Sequence, residues 1–217
     1  MSILLYCVVL KSGLRQPSSG VAGLPVSCSE CNDVVALFSK GASAEAWTGA
    51  PLRESAQEFH RALQQVFTGG AIIPFRFPTL MKDEEELWAY LQENSALYSS
   101  SLQRFESSVQ MEAVISYSDL TSGTAVKTSG TEYLRSRQKH SEELHVIANK
   151  LRDCAGDVAR DWRERSVQNT LRLFALLDRN SVSEFKDRLR GFGVPAGLTV
   201  RVTGPWPVTE FLELNKI

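Results

Sequence analysis

Residues 3–10 read ILLYCVVL and residues 33–39 read DVVALFS, two nearly unbroken apolar runs of strand length. Runs this short fall well below the roughly 18 residues of a membrane span, so each reads as a β-strand. A strand with one wet face alternates apolar and polar residues. Val34 to Phe38 do not alternate, so this strand needs cover on both faces. No basic stretch precedes the first run and no small-residue cleavage site comes after it, so it does not read as a signal peptide. The bulky Tyr6 argues against lipoprotein processing at Cys7.

Helical periodicity supplies the cover. Pro51 can open a helix because the first turn needs no N–H from it. Leu52, Ala56, Phe59, Leu63 and Val66 then recur at three- and four-residue steps, and Gly69-Gly70 stop the pattern. Asp83 is placed to cap a second helix whose first turn holds Glu84, Glu85 and Glu86, where carboxylates favour the helix dipole. Leu87, Leu91, Tyr98, Leu102 and Phe105 form its buried stripe. The acidic triplet is thus a helix start rather than a metal site.

The second half repeats the alternation. VQMEAVISY (109–117) reads as a strand, and a long helix is expected over about 132–165 with Leu144, Ile147, Leu151, Cys154, Val158 and Trp162 on its stripe. Gly156 is a candidate bend. A strand over 168–178, a short helix over 182–191 with Phe185 and Leu189 inward, and a last strand over 198–204 complete the order. The expected class is α+β: two small sheet-plus-helix domains, 1–107 and 108–204, with a C-terminal tail over 205–217. The second domain reads as ferredoxin-like in a modified form, one strand missing or displaced. Alternation alone leaves sheet order open, and a parallel layer is the alternative.

Chemistry-bearing motifs are sparse. Among 217 residues, 24 basic and 25 acidic side chains give a formal net charge of −1, which argues against a dedicated nucleic-acid binder. Cys28-Ser29-Glu30-Cys31 has C-x-x-C spacing but lacks a second close pair for zinc, and it reads as polar loop rather than helix start. TSGT occurs at 121–124 and 128–131 without the G-x-x-x-x-G-K-[ST] spacing of a phosphate loop. His140 and His145 are five apart, not four, and with His60 read as surface helix histidines. No nucleophile comes with a base and an orienting group. The expectation is no enzyme, no cofactor and no metal.

Two proline-flanked segments stand out. In Pro74-Phe75-Arg76-Phe77-Pro78, proline removes ladder donors, so the segment should be a short or edge strand. Strand alternation puts Phe75 and Phe77 on one face and Arg76 on the other. Arg76 then pairs internally with a carboxylate, the commoner arrangement, or serves an acidic partner. In Gly204-Pro205-Trp206-Pro207 the prolines hold Trp206 extended, as an anchor for the tail or as an exposed contact.

These segments, in this order, resemble the gas vesicle protein F/L family. The family's strand of the type V-L-P-x-R-F-G-T is matched by Ile73 to Thr79, and its T-G-P-W-P-P-Y-x-F ending by Thr203 to Pro207 and Phe211. Leu5 to Val9, Glu84-Glu85 and Gly130-Thr131-Glu132-Tyr133-Leu134 match further family features. Pro78 replaces the usual glycine, and Val208-Thr209 replace the usual proline and tyrosine. The C-x-x-C is not part of the pattern. The resemblance implies a minor, non-enzymatic gas vesicle component in the cytoplasm. It implies contact with the small, hydrophobic major shell protein, and with other accessory proteins, during shell nucleation. A ferredoxin-like module for a small ligand or for regulation is the competing reading.

Overall fold

A computed structural model describes residues 2–42, 50–118, 130–167 and 169–213. Trp47, the TSGT at 121–124 and the start of the TSGT at 128–131 lie outside the described residues. The chain forms two compact units, Met1–Ser107 with Pro207–Ile217, and Ser108–Trp206.

In the first unit, strands β1 (Ile3–Leu10), β2 (Ser27–Cys31), β3 (Val34–Lys40), β4 (Ile72–Pro74) and β5 (Leu80–Met81) accompany helices α1 (Ala50–Phe67) and α2 (Glu84–Arg104). The antiparallel sheet runs β2-β3-β1-β4, with β5 pairing another stretch of β1. Asn32, at φ 53°, turns the β2–β3 hairpin in the left-handed region that asparagine tolerates. The unbroken apolar runs find cover on both faces. Leu5, Val8, Val34, Ala36 and Phe38 share one cluster with Leu87, Leu91, Tyr98 and Leu102 of α2. Tyr6, on the other face, stacks on Phe59 of α1 with ring centroids 4.9 Å apart. A bulge between Leu5 and Cys7 keeps both faces in register with β3.

Both helices of this unit were expected from the sequence, one with a different rotation. Asp83 Oδ1 accepts the Glu86 amide at 3.0 Å, and Glu86 accepts the Lys82 amide at 2.6 Å, so the acidic triplet is a capped helix start. On α1 the inward positions are Ser55, Phe59, Ala62 and Val66, and Leu52 is exposed. The stripe therefore sits about one position from the apolar pattern. The C-x-x-C expected in a loop lies in β2 instead. Three residues apart on a strand, Cys28 and Cys31 point to opposite faces; Cys28 is exposed and Cys31 packs on the α2 side of the core.

The second unit contains β6 (Ser108–Tyr117), α3 (Gly130–Ala155), β7 (Ala159–Val167), β8 (Thr170–Asp178), α4 (Val182–Arg190) and β9 (Leu198–Trp206). The strand order is β7-β8-β6-β9, antiparallel throughout. This is a ferredoxin-like βαββαβ unit with all four strands present. The strand missing from the sequence reading is β7, and the helix expected over 132–165 ends at Ala155. Gly156, at φ 58°, stops the helix in a conformation that disfavours side chains. Cys154 is exposed and Ala155 takes the inward position. Trp162 belongs to β7, where its ring lies 6.2 Å from Phe185 of α4. Glu164, on the same side of β7 as Trp162, meets Arg152 of α3 at 2.7 Å. Both helices therefore cover one face of this sheet, and Arg163 and Arg165 point to the other.

Residues 207–213 return to the first unit. Val208 and Phe211 are each 2% exposed, and Leu212 packs against the α2-side core. Burying such a side chain is worth about 1.5–3 kcal/mol, so this segment is part of that unit's stability rather than a loose tail.

Candidate functional site

Pro74 ends the short edge strand, in register with Cys7 of β1. The chain beyond it stays clamped. The Phe75 amide donates to the Tyr6 carbonyl at 2.9 Å, and the Leu5 amide donates to the Thr79 carbonyl at 3.0 Å. Thr79 Oγ1 donates to the Arg76 carbonyl at 2.7 Å, closing a tight turn over residues 76–79. The Phe77–Pro78 peptide is cis.

Because regular strand geometry ends at Pro74, alternation fails in the next three residues. Phe75 meets Tyr90 of α2 edge-on at 6.1 Å, whereas Phe77 meets Phe59 of α1 at 5.2 Å. The two phenylalanines thus grip opposite faces of the sheet, not one shared face. Arg76 is exposed between them. The internal ion pair expected for it does not form: its guanidinium meets no carboxylate among the described residues. The arrangement is an exposed cation on an aromatic-anchored turn. Such a group can make a bidentate contact with a carboxylate or donate to a carbonyl.

The second segment ends β9. Gly204 has φ 121°, and a Cβ there would lie 2.8 Å from Met111 Sδ and 3.0 Å from the Gln110 carbonyl. Only glycine lets β9 approach β6 this closely. The Gly204–Pro205 peptide is cis. Trp206 pairs with Gln110 across the sheet, and its Nε1 donates to Thr203 Oγ1 at 3.2 Å. The indole is half-buried. Gly204, Pro205 and Trp206 belong to the second unit, and Pro207 begins the return to the first. The four residues Pro74, Phe75, Arg76 and Phe77 stay together in the first unit.

The histidines sit on helices. His60 is exposed on α1. His140 packs on Tyr117 with centroids 4.6 Å apart, and His145 Nε2 lies 3.5 Å from Glu164. Tyr117 donates to Glu143 at 2.6 Å; loss of solvent and then the adjacent carboxylate push its phenol up. His140, His145, Leu144 and Leu171 help to line a pocket of about 130 Å³ in the second unit. A pocket of about 240 Å³ in the first unit is lined by Ser18, Gly20, Glu58, Arg61 and Gln65. Both are smaller than the roughly 300–1,000 Å³ of a typical ligand site. Among the described residues, no three His, Cys, Asp or Glu side chains gather as a metal site. No helix of the described residues is long and apolar enough to cross a membrane.

The model of the family described as gas vesicle synthesis protein GvpL/GvpF matches residues 2–213. The chain belongs to the GvpL/GvpF family. Its fold is that of solved GvpF proteins. The crystal structure of GvpF from Anabaena sp. PCC7120 superimposes with a TM-score of 0.76 at 15% identity, covering 99% of this chain and 97% of that one. GvpF from Microcystis aeruginosa gives 0.75 at 14% identity, covering 98% and 99%. A sequence search of curated proteins finds no match. The GvpL/GvpF assignment places this chain in gas vesicle assembly, in a family of gas vesicle synthesis proteins. In this structure P-x-R-F falls on the aromatic-anchored turn and T-G-P-W-P on the close β6–β9 approach.

Proposed function

We propose that this GvpL/GvpF protein binds the small, hydrophobic major shell protein of gas vesicles in the cytoplasm and assists nucleation of the shell. The observation that carries the reading is the family match along nearly the whole chain, residues 2–213. The physical rationale is that a shell subunit with large apolar surface associates indiscriminately until that surface is covered. A folded partner that covers it transiently keeps the subunit available for ordered growth. Other accessory vesicle proteins are further partners under this reading.

The exposed Arg76, held on its turn by Phe75 and Phe77, supplies a directional polar contact beside apolar cover. Gly204 to Pro207 supply a second contact segment, through the Trp206 indole. The test is capture of the co-expressed shell protein by the tagged chain, with Arg76→Glu and Trp206→Ala run in parallel. Wild type should retain the shell protein, and Arg76→Glu should release at least ten times more of it with unchanged circular dichroism. Normal vesicle formation after deletion of the gene, in a host lacking a related paralogue, would falsify the assembly role.

A further inference from the structure

We propose that residues 207–213 act as a strap that sets the Arg76 turn, so that the contact segment of the first unit is formed only when this segment has docked. The consequence for assembly rests on the shell-protein reading above; the device itself rests on the fold. The second unit is an insertion within the first. The chain enters it as β6 at Ser108 and leaves it as β9 at Trp206. These strands are neighbours, with Gln110 opposite Trp206. Opposed residues of an antiparallel ladder have Cα atoms roughly 4.5–5.5 Å apart, so entry and exit lie side by side. The second unit thus comes from one continuous stretch. The first unit, Met1–Ser107, waits for a segment synthesised after the whole of the second.

The strap forms no strand. It closes on itself, the Thr209 amide donating to the Pro207 carbonyl at 2.8 Å and the Phe211 amide to the Val208 carbonyl at 2.9 Å. Its side chains reach the unit. Val208 and Phe211 are buried, and Glu213 lies 3.7 Å from Arg104 at the end of α2. Leu212 packs on the cluster that includes Leu87, Leu91, Tyr98 and Leu102.

The same cluster seats the turn. Phe75 and Tyr90 pack against it, Phe75 meets Tyr90 edge-on, and the Tyr90 hydroxyl is hydrogen-bonded to that of Tyr98. Strap and turn are therefore joined through one core. Protein interiors are close-packed, and neighbours fill a vacated site only in part. Withdrawing Leu212 opens the α2 side of the cluster to water and loosens the seat of Phe75. The clamp on the turn, Phe75 amide to Tyr6 carbonyl and Leu5 amide to Thr79 carbonyl, then opens more often. A chain in which the strap has not docked lacks the ordered Arg76 contact and does not engage shell protein prematurely.

The experiment measures amide exchange in the full-length wild type and in Leu212→Asp, which sets a carboxylate against the apolar cluster and displaces the strap. Exchange at the Phe75 and Leu5 amides should accelerate at least tenfold more than at the β3 amides, with β8 unchanged as the mark of an intact second unit. Capture of co-expressed shell protein should fall at least tenfold. Unaltered exchange at Phe75 and Leu5, or equal acceleration there and throughout β3, overturns the strap, and the segment is then an ordinary part of that unit's core. Loss of β8 protection overturns the independence of the second unit and the proposal with it. Full capture despite a loosened turn overturns the consequence for assembly. If Leu212→Asp does not fold, Leu212→Ala is read in the same way. A wild type that captures no shell protein overturns the shell-protein reading and leaves the strap to be decided by exchange alone.

Discussion

Tyr6→Phe tests how the first unit ties its loop to its sheet. The Tyr6 ring stacks on Phe59, and its hydroxyl is a junction within the core. It accepts the Val21 amide at 2.9 Å and shares a hydrogen bond with Ser39 Oγ at 3.1 Å. Ser39 Oγ in turn donates to the Pro25 carbonyl at 2.9 Å. Gly20 makes room for the group: a Cβ there would lie 2.3 Å from the hydroxyl oxygen. Phenylalanine keeps the stack and deletes the junction. Ser39 retains Pro25, but the Val21 amide, in a residue with 0% exposure, loses its acceptor. A buried donor left without a partner costs about 1–3 kcal/mol. At about 1.4 kcal/mol per factor of ten, exchange of the β3 amides should accelerate roughly five- to 150-fold. The amides of β8 serve as the internal reference in the second unit and should not change. Unaltered β3 exchange in a folded Tyr6→Phe protein refutes the reasoning, since it would mean that the hydroxyl has no structural role.

Three other outcomes are expected. Gly204→Ala should destabilise the second unit by roughly 1–3 kcal/mol, because φ 121° and the Met111 sulfur at 2.8 Å both oppose a side chain; β8 amide exchange measures it. In a thiol titration of the native protein, the exposed Cys28 and Cys154 should react first. Cys7, whose thiol burial pushes up, should react only after denaturation. Arg152 first, and then His145, hold the Glu164 carboxyl below its ordinary value. That stabilisation is present above the unfolded value near pH 4 and is lost as pH falls through the folded value. The pair is partly exposed, so acid should cost the second unit no more than about 1 kcal/mol through it, and Glu164→Gln should remove that part of the acid dependence in a series of urea melts.

The fold was legible wherever a residue pattern had one physical solution. Continuous apolar residues at 34–38 demand two covered faces, and α1 and α2 provide them. Asp83 before three glutamates has one economical reading, and the cap forms as expected. The segment 159–167 had two solutions. Arg160, Asp161, Arg163, Glu164 and Arg165 describe a solvated helix face as well as they describe a charged edge strand, and apolar Val158 and Trp162 happen to continue the helical spacing. Only Gly156 separated the readings, because a left-handed residue ends a helix where a bend would prolong it. In the candidate site, proline fixed where the strand stops but left the path of residues 75–77 open. Period-two alternation holds only while the ladder holds, so Phe75 and Phe77 were free to part once Pro74 ended it.

The return of residues 207–213 was within reach of the sequence and for a different reason. Val208, Phe211 and Leu212 are spaced as a single apolar turn, and three such residues in a short terminal segment need a core to enter. Arg104 and Glu213, 3.7 Å apart, flank the place where they do so.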